Sequence, residues 1–463
     1  MNKPNKEYEV LYIHSTKDPR KHPQGNTYYG IMPMGIIGIL NTLIKNGVSV
    51  LGVNIAIEKA LDPDFDIGEF LSGINYKILL TDLHWYEHSF GTLYIAEQSK
   101  KIHPLSWVII GGYTSTIYAE EILTNFNCVD YITVGDCDKP LPELVYKLLS
   151  EKMTEINTIP NLVYRNNNIT VRSKIKWIQE SISTIDFVNT DFFWHSEYIP
   201  YITTTGAKKI ASHYWLLIAR GCKYNCSYCC GANSNMNDLF QRCNILLRSP
   251  KEIANDFNYL TEHGIKRICP SHDIQMFGSD FYCELFHEIG KQKTRPGMYL
   301  ECFQLPDEKF LDAISEVFDL DNLVLAISPI SGNEQLRKSN GKLFSNKRFI
   351  EILEYIKQKR IRLQLYYTLN IYGETKQQFL DTYNQMSYII NEMGLAKKSV
   401  FYQSVIIDPL AGMRNIEGID VKYNSFMDYY SYCLLPENVN LNTGFDDNAD
   451  LTTEEKRKKF IEI

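Results

Sequence analysis

The chain has 463 residues, enough for two or three domains with ample core. At 44% apolar and 22% charged it has the make-up of a folded soluble chain, and a net charge of −7, with the tail run Glu454-Glu455-Lys456-Arg457-Lys458-Lys459 reading as a solvated helix end, argues against a nucleic-acid substrate. No apolar run approaches the ~20 residues that span a bilayer, Met1 to Glu9 is polar, and eleven cysteines read as reduced thiols rather than a disulfide framework, so a cytoplasmic protein with no membrane segment is expected.

Residues 1–150 alternate short apolar runs with amphipathic stretches. Tyr8–Ile13, Ser49–Asn54, Lys77–Leu83, Trp107–Gly112 and Tyr131–Val134 predict strands, nearly continuous in Val, Ile and Leu as parallel strands covered on both faces are. Met34–Lys45, Gly91–Lys101, Ile117–Phe126 and Leu141–Ser150 predict helices between them. This order predicts a doubly wound parallel-sheet α/β domain with its ligand outside the carboxyl strand ends. Small residues gather at those ends: Gly35 after Met34, Gly111-Gly112-Tyr113 after the fourth strand, and Gly135-Asp136 after the fifth. Such glycines make tight turns, or let backbone approach a large ligand.

From 151 to 209 the pattern loosens into a linker. Leu162–Tyr164 and Ile169–Arg172, around Asn166-Asn167-Asn168, predict a β-hairpin, and Ile185–Phe193 an aromatic connector. Residues 210–413 alternate again, in about six βα units. Strands are expected at Tyr214–Ala219, Lys266–Cys269, Met298–Phe303, Leu323–Ser328, Arg362–Asn370 and Ser399–Ile407. Helices are expected at Pro250–His263, Ser279–Lys291, Asp307–Val317, Asn346–Lys359 and Gln377–Glu392. Such barrels place functional residues at the carboxyl strand ends. Residues 414–463 predict a small helical appendage.

The first of those strand ends leads into Arg220-Gly221-Cys222-Lys223-Tyr224-Asn225-Cys226-Ser227-Tyr228-Cys229, three cysteines spaced C-x₃-C-x₂-C. A loop can turn three thiolates toward one point, and thiolates suit iron–sulfur iron. Three cysteines leave one iron of a [4Fe–4S] cluster open to a small chelating molecule. A structural zinc site would need a fourth ligand, for which Cys230, Cys243 or His213 is available, though none lies in a recognised second knuckle. Chance clustering of buried thiols is the third reading.

The cysteine spacing, with Tyr228 before the last cysteine, resembles the radical S-adenosylmethionine (SAM) superfamily. The ordered glycine loops of residues 1–150 resemble the cobalamin-binding domain that precedes many radical SAM domains. The resemblance implies Cys222, Cys226 and Cys229 as cluster ligands, an open iron that binds SAM, and a six-unit partial barrel. It implies SAM contacts at Tyr228, at Ser331 and Gly332, which stand where the family has Glu-Ser-Gly-Ser-Glu, and at Gly373 and Glu374 in a Tyr-Gly-Glu-Thr version of its Pro-Gly-Glu-Thr turn. Ser328-Pro329 replaces the usual ribose-binding carboxylate, and Thr375 or Glu374 could simply start the next helix. Cobalamin is expected beside Gly111, Gly112, Tyr113, Gly135 and Asp136. The D-x-H-x-x-G cobalt-ligand motif is missing: the first strand is followed by His14 and His22, and His84 and Trp85 follow the third. These two read as pocket walls or loop packing. Ser271-His272-Asp273, after the second barrel strand, could face substrate or SAM, or could pack internally.

The resemblance further implies a cobalamin-dependent radical SAM enzyme, with methyl transfer to an unactivated carbon as its reaction. Radical cyclisation, rearrangement or oxidation is the alternative, and a non-enzymatic iron–sulfur sensor or scaffold the third. No cysteine-rich C-terminal region suggests auxiliary clusters, and two cysteines within 1–150 are fewer than methylthiotransferases carry. A small-molecule or peptide substrate and an external low-potential electron donor of flavodoxin or ferredoxin type are the expected partners. The two cofactors are expected to face each other, with the linker folding one domain over the barrel mouth.

Overall fold

The computed structural model describes residues 7–21, 30–167, 169–201, 212–291, 294–435, 444 and 450–463. His22 and Asn168 lie outside the described residues. The chain divides into two units: 1–211 with 238–242 and 424–437, and 212–237 with 243–423 and 438–463.

The first unit is built on strands β1 (Glu7–His14), β2 (Val50–Asn54), β3 (Asn75–Asp82), β4 (Trp107–Gly111), β5 (Tyr131–Thr133), β6 (Leu162–Asn166) and β7 (Ile169–Arg172), in spatial order β2-β1-β3-β4-β5-β6-β7. β1 to β5 are parallel, and β6 and β7 are added antiparallel. The apolar runs explain the two-sided cover. Leu11, Ile13, Leu79, Val108 and Ile110 enter one core with Leu93 and Ile95 of the helix Ser89–Ile102. Val10, Tyr12, Ile78, Leu80 and Ile109 enter the other with Ile39 and Leu40 of Met34–Lys45 and Leu144 of Pro140–Leu149. Strand order reverses between β1 and β3, so the ligand crevice of this architecture falls at their carboxyl ends.

Two segments behave differently from the sequence reading. The hairpin within 151–209 extends the first sheet, because Leu162 and Val163 are buried one in each core. The connector continues along β2, where the Gly52 N–H donates to Phe192 O (2.9 Å) and the Trp194 N–H donates to Gly52 O (2.8 Å). Residues 414–463 are not one appendage. The helix Phe426–Leu434 belongs to the first unit, its N-terminal N–H groups at Phe426 and Met427 donating to the Glu121 carboxylate at 2.9 and 3.2 Å. The helix Thr453–Glu462 belongs to the second.

The second unit holds β8 (His213–Leu216), β11 (Arg267–Pro270), β12 (Met298–Cys302), β13 (Leu323–Ile330), β14 (Arg362–Thr368) and β15 (Val400–Gln403), all parallel, in order β15-β14-β13-β12-β11-β8. Helices Pro250–Glu262, Ser279–Gly290, Glu308–Val317, Asn346–Gln358 and Lys376–Ser387 connect them, which is the expected open six-strand barrel. The strand expected to run from Tyr214 to Ala219 stops at Leu216. Ser271 ends the ladder: its N–H donates to Leu216 O (2.9 Å), and its Oγ accepts the Ile218 N–H (3.1 Å). A short pair then forms between β9 (Ala219–Arg220) and β10 (Leu246–Leu247), and the cysteines follow. In β13 the register shifts between Ile327 and Ile330, where Pro329 has no N–H to give to the ladder.

Candidate functional site

Cys222, Cys226 and Cys229 occupy one loop at the carboxyl end of the barrel, partly exposed and mutually close enough to interact electrostatically. Local hydrogen bonds fold it. The Cys229 N–H donates to Cys226 O (3.2 Å), the Tyr224 N–H to Cys222 Sγ (3.4 Å), and Asn233 Nδ2 to Cys222 O (2.7 Å). Burial pushes the Cys229 thiol up to about 12, with the Asp408 charge adding to it, and burial raises Cys222 as well. A bound cation reverses that preference by stabilising thiolate directly. Among the described residues the three sulfurs do not fall within 4.8 Å of one another, as donors to a single zinc would. A cluster, whose irons each take one sulfur, needs no such close approach.

Cys230 is not a fourth member. Its thiol donates to Pro409 O and its N–H to Asp408 Oδ2 (3.2 Å). His213 hydrogen-bonds with Arg267 (2.9 Å), and Cys243 is exposed. His272 takes the packing role: one ring nitrogen meets Gly221 O (2.9 Å), the other Ser271 Oγ (2.8 Å), and burial lowers its pKa to about 4. It braces the residue before Cys222. Asp273, also buried, accepts the Phe303 N–H (2.8 Å) and caps the turn Ile274–Phe277.

A second loop, not found in the sequence reading, backs the cysteines. At Gly341 (φ +94°) a Cβ would stand 3.0 Å from Cys226 Cα and 3.2 Å from its sulfur, so only glycine allows this approach. Gln304 holds the loop by donating to Gly341 O (2.7 Å) and accepting the Leu343 N–H (2.9 Å). Asn340 Oδ1 accepts from Ser227 Oγ (2.5 Å). Lys342 is 5% exposed, donates to Phe303 O (2.8 Å), and sets a buried cation beside Cys226 and Cys229. The sequence signal was weak: Asn-Gly-Lys reads as an ordinary turn.

Beside the loop lies a cavity of about 140 Å³ lined by Tyr228, Ile330, Asn340, Thr368, Asn370, Tyr372, Val405 and Met413, at the carboxyl ends of β13 to β15. A larger one, about 240 Å³, opens among Leu353, Arg360, Leu363 and Met393 around the start of β14; it contains none of the cysteines. The first has no cysteine in its lining either, but it adjoins their loop through Tyr228. Tyr228 borders it; Ser331, Gly332, Gly373 and Glu374 do not. Ser331 is fully buried against Thr382 (Oγ to Oγ1, 3.1 Å), and a Cβ at Gly332 would meet the Asp381 and Thr382 backbone at 2.6 Å. Thr375 caps the next helix in a capping box with Gln378. Glu374 is buried, with Oε2 2.5 Å from Lys456 Nζ, both side chains 1% exposed. Spacing alone could not reveal these partners because they come from distant segments.

On the sheet face opposite the helices, Trp215, Tyr299, Glu301, Tyr366 and Phe401 form a continuous wall. Tyr366 stacks on Phe401 (4.9 Å), Tyr299 and Tyr366 oxygens lie 3.3 Å apart, and Trp215 meets Tyr299 edge-on (6.2 Å). The Glu301 side chain reaches solvent, yet its deep setting raises its pKa, with Lys342 opposing.

In the first unit the expected ligand loops sit at the switch-point end of the sheet. Gly112 has φ +120°, and a Cβ there would strike Leu83 and His84 backbone at 2.7 Å, so its smallness serves the protein's own packing. At Gly135 (φ +70°) a Cβ would stand 3.2 Å from the Phe240 ring; Asp136 holds Arg242 and the Gln179 N–H (2.9 Å). Gly111 and Tyr113 remain half-buried, as do His84 and Trp85, which pack edge-on at 4.4 Å; Trp85 Nε1 donates to Ile31 O (3.1 Å). These residues fit a cofactor at the crevice, with Gly112 and Asp136 engaged in holding its loops.

An open parallel barrel whose first strand end carries three clustered thiols has the radical SAM arrangement. Residues 216–386 match the family model of the Radical SAM superfamily. Among solved structures the chain is similar to the radical S-adenosylmethionine methyltransferase TsrM from Kitasatospora setae with tryptophan substrate and a SAM analogue bound, at 14% identity and TM-score 0.64 over 93% of this chain and 84% of that one. It is similar to the same protein with cobalamin and a [4Fe-4S] cluster bound (13%, 0.62, 91% and 81%). It is also similar to the cobalamin-dependent S-adenosylmethionine radical enzyme OxsB (11%, 0.57), over 94% of this chain and 56% of that one. No curated protein matches. Residues 216–386 thus carry a radical SAM domain, and the chain shares the fold of TsrM and OxsB.

Proposed function

We propose that this protein is a cobalamin-dependent radical SAM enzyme that transfers a methyl group to an unactivated carbon. The observation that carries the reading is the Cys222, Cys226, Cys229 loop beside a strand-end cavity, in a chain that follows the TsrM fold over 93% and the OxsB fold over 94% of its length. When bound, a [4Fe–4S] cluster, SAM and cobalamin would supply the electron, the radical and the methyl group. The protein's own groups hold and shield them. Cys222, Cys226 and Cys229 ligate iron. Tyr228, Asn340 and Asn370 border the SAM cavity, in place of Ser331, Gly332, Gly373 and Glu374. Lys342 offsets the negative charge of the thiolates from a buried position. Gly111, Tyr113 and Trp85 offer the cobalamin crevice. The wall Trp215, Tyr299, Glu301, Tyr366 and Phe401 offers an aromatic surface with one carboxyl to a small-molecule or peptide substrate.

Electrons come from an external flavodoxin- or ferredoxin-type donor; the other eight cysteines are scattered along the sequence. All eleven cysteines are free, which supports a reducing, cytoplasmic setting. Among the described residues no helix is long and apolar enough to cross a membrane. Anaerobic incubation with SAM and dithionite tests the reading. A methyltransferase forms both 5′-deoxyadenosine and S-adenosylhomocysteine; 5′-deoxyadenosine alone supports radical cyclisation, rearrangement or oxidation, and neither product supports a sensor.

A further inference from the structure

We propose that the first unit binds a divalent first-row transition ion, of the zinc or iron(II) kind, through His14, Asp82 and His88. His14 ends β1, Asp82 ends β3, and His88 lies in the turn Tyr86–His88 just before the helix Ser89–Ile102. These elements meet where the strand order reverses, the place where this architecture gathers its ligands. One donor atom from each residue lies within 4.8 Å of the other two. His14 Nδ1 and Asp82 Oδ1 are 2.8 Å apart. Donors bound at about 2.0–2.2 Å around one ion stand roughly 3 Å from each other, so closing this triangle on an ion needs only side-chain adjustment.

Burial separates the cluster from a chance surface grouping. The three residues are 0%, 4% and 0% exposed. Asp82 Oδ2 accepts no hydrogen bond from any described residue, which leaves a buried carboxylate oxygen for a cation. The other oxygen is oriented from outside the triangle: Tyr12 donates to Oδ1 (2.7 Å), and Thr92 Oγ1 fixes the Asp82 backbone carbonyl (2.9 Å). Second contacts of this sort hold ligating carboxylates in place.

The donor set selects the ion. Two imidazoles and one carboxylate suit zinc or iron(II); magnesium and calcium take all-oxygen shells. Three protein donors leave a coordination position for water or another small ligand. The ion would tie two strand ends and a helix start together, and it would offset a carboxylate charge at the floor of the crevice. It is distinct from the thiol cluster, which lies in the other unit.

Zinc is the probe, because it is not mistaken for cluster iron. Full-length protein, anaerobically reconstituted with its cluster, is equilibrated with zinc, desalted, and assayed by elemental analysis and zinc-edge X-ray absorption. The proposal expects about one zinc per chain in an all-nitrogen/oxygen shell with imidazole scattering. The Cys222→Ala/Cys226→Ala/Cys229→Ala variant should keep it, while His88→Gln and Asp82→Asn should each weaken it by roughly tenfold or more. Wild-type protein that retains no zinc, or a sulfur shell, overturns the proposal. So does unchanged zinc in both ligand variants. The wild-type absorption spectrum decides the matter even if a variant fails to fold.

Discussion

The strand ends of the two sheets secure their buried carboxylates with different partners. In the first, Asp82 meets His14 and Glu58 meets His195, each within 3 Å. In the second, Glu374 meets Lys456, and Asp273 takes the N–H groups of Gln275 and Phe303. An imidazole–carboxyl pair can shed its charges by moving a proton near neutral pH; an ammonium or an amide cannot. At Glu58 and His195 the first end can thus give up its charges, while the second is a fixed frame around three thiols.

The largest test addresses the framed thiols. Cys222→Ala, Cys226→Ala and Cys229→Ala should each abolish the cluster and 5′-deoxyadenosine formation, whereas Cys230→Ala should keep both, its thiol being engaged by Pro409. Iron and sulfide analysis reads this directly, and a full cluster in any of the three would remove that residue from the ligand set. Next is the fixed ion pair. Lys456→Met removes the cation beside the buried Glu374 carboxylate, which should cost about 3–5 kcal/mol and lower the second unit's melting temperature by roughly 10 °C. Lys456→Met/Glu374→Met should recover most of the loss in calorimetry; a harmless single variant would mean that the pair is not needed.

Glycine gives a smaller contrast between the two ends. Gly112→Ala meets both a forbidden backbone region and close backbone atoms, and should cost roughly 2–3 kcal/mol. Gly373 has φ +69° with open space beside it, so Gly373→Ala should cost only about 1 kcal/mol. Denaturant unfolding of the two variants ranks them, and equal costs would erase the distinction.

The smallest effect is pH-dependent. Burial, with Glu197 nearby, raises the Glu58 carboxyl from 4.5 to about 8, and burial lowers the His195 imidazole. Between those two values the folded carboxyl keeps a proton that the unfolded one releases, so stability falls as pH rises through this window. Glu58→Gln should therefore raise the melting temperature by roughly 5 °C at pH 8.5 and by little at pH 5. A loss of stability at both values would make Glu58 a charged partner of His195 instead.

What the sequence disclosed follows the range of each signal. Met34–Lys45 was found to the residue because its apolar period and flanking Pro33 and Asn46 are local. The parallel strands were legible from continuous Val, Ile and Leu, and the cysteine loop from spacing. The Tyr214 strand was drawn too long because Ser271, fifty residues on, ends it. Ser331, Gly332 and Glu374 were expected at SAM, since their partners Thr382, Asp381 and Lys456 are remote in sequence. Gly341 and Lys342 were missed for the same reason. The split of residues 414–463 depended on Phe426 finding the core of the first sheet, a choice no helical period records.

The Glu374–Lys456 contact sets an order of events during synthesis. Ribosomes add about 5–20 residues per second, so the carboxylate leaves the exit tunnel several seconds before the amine that neutralises it. During that interval the turn after β14 cannot settle into its final burial, although all three cysteines have long since been made. Cluster delivery to a nascent chain would therefore meet a rim that is still open, and the metal-loaded barrel becomes secure only after the late helix has docked.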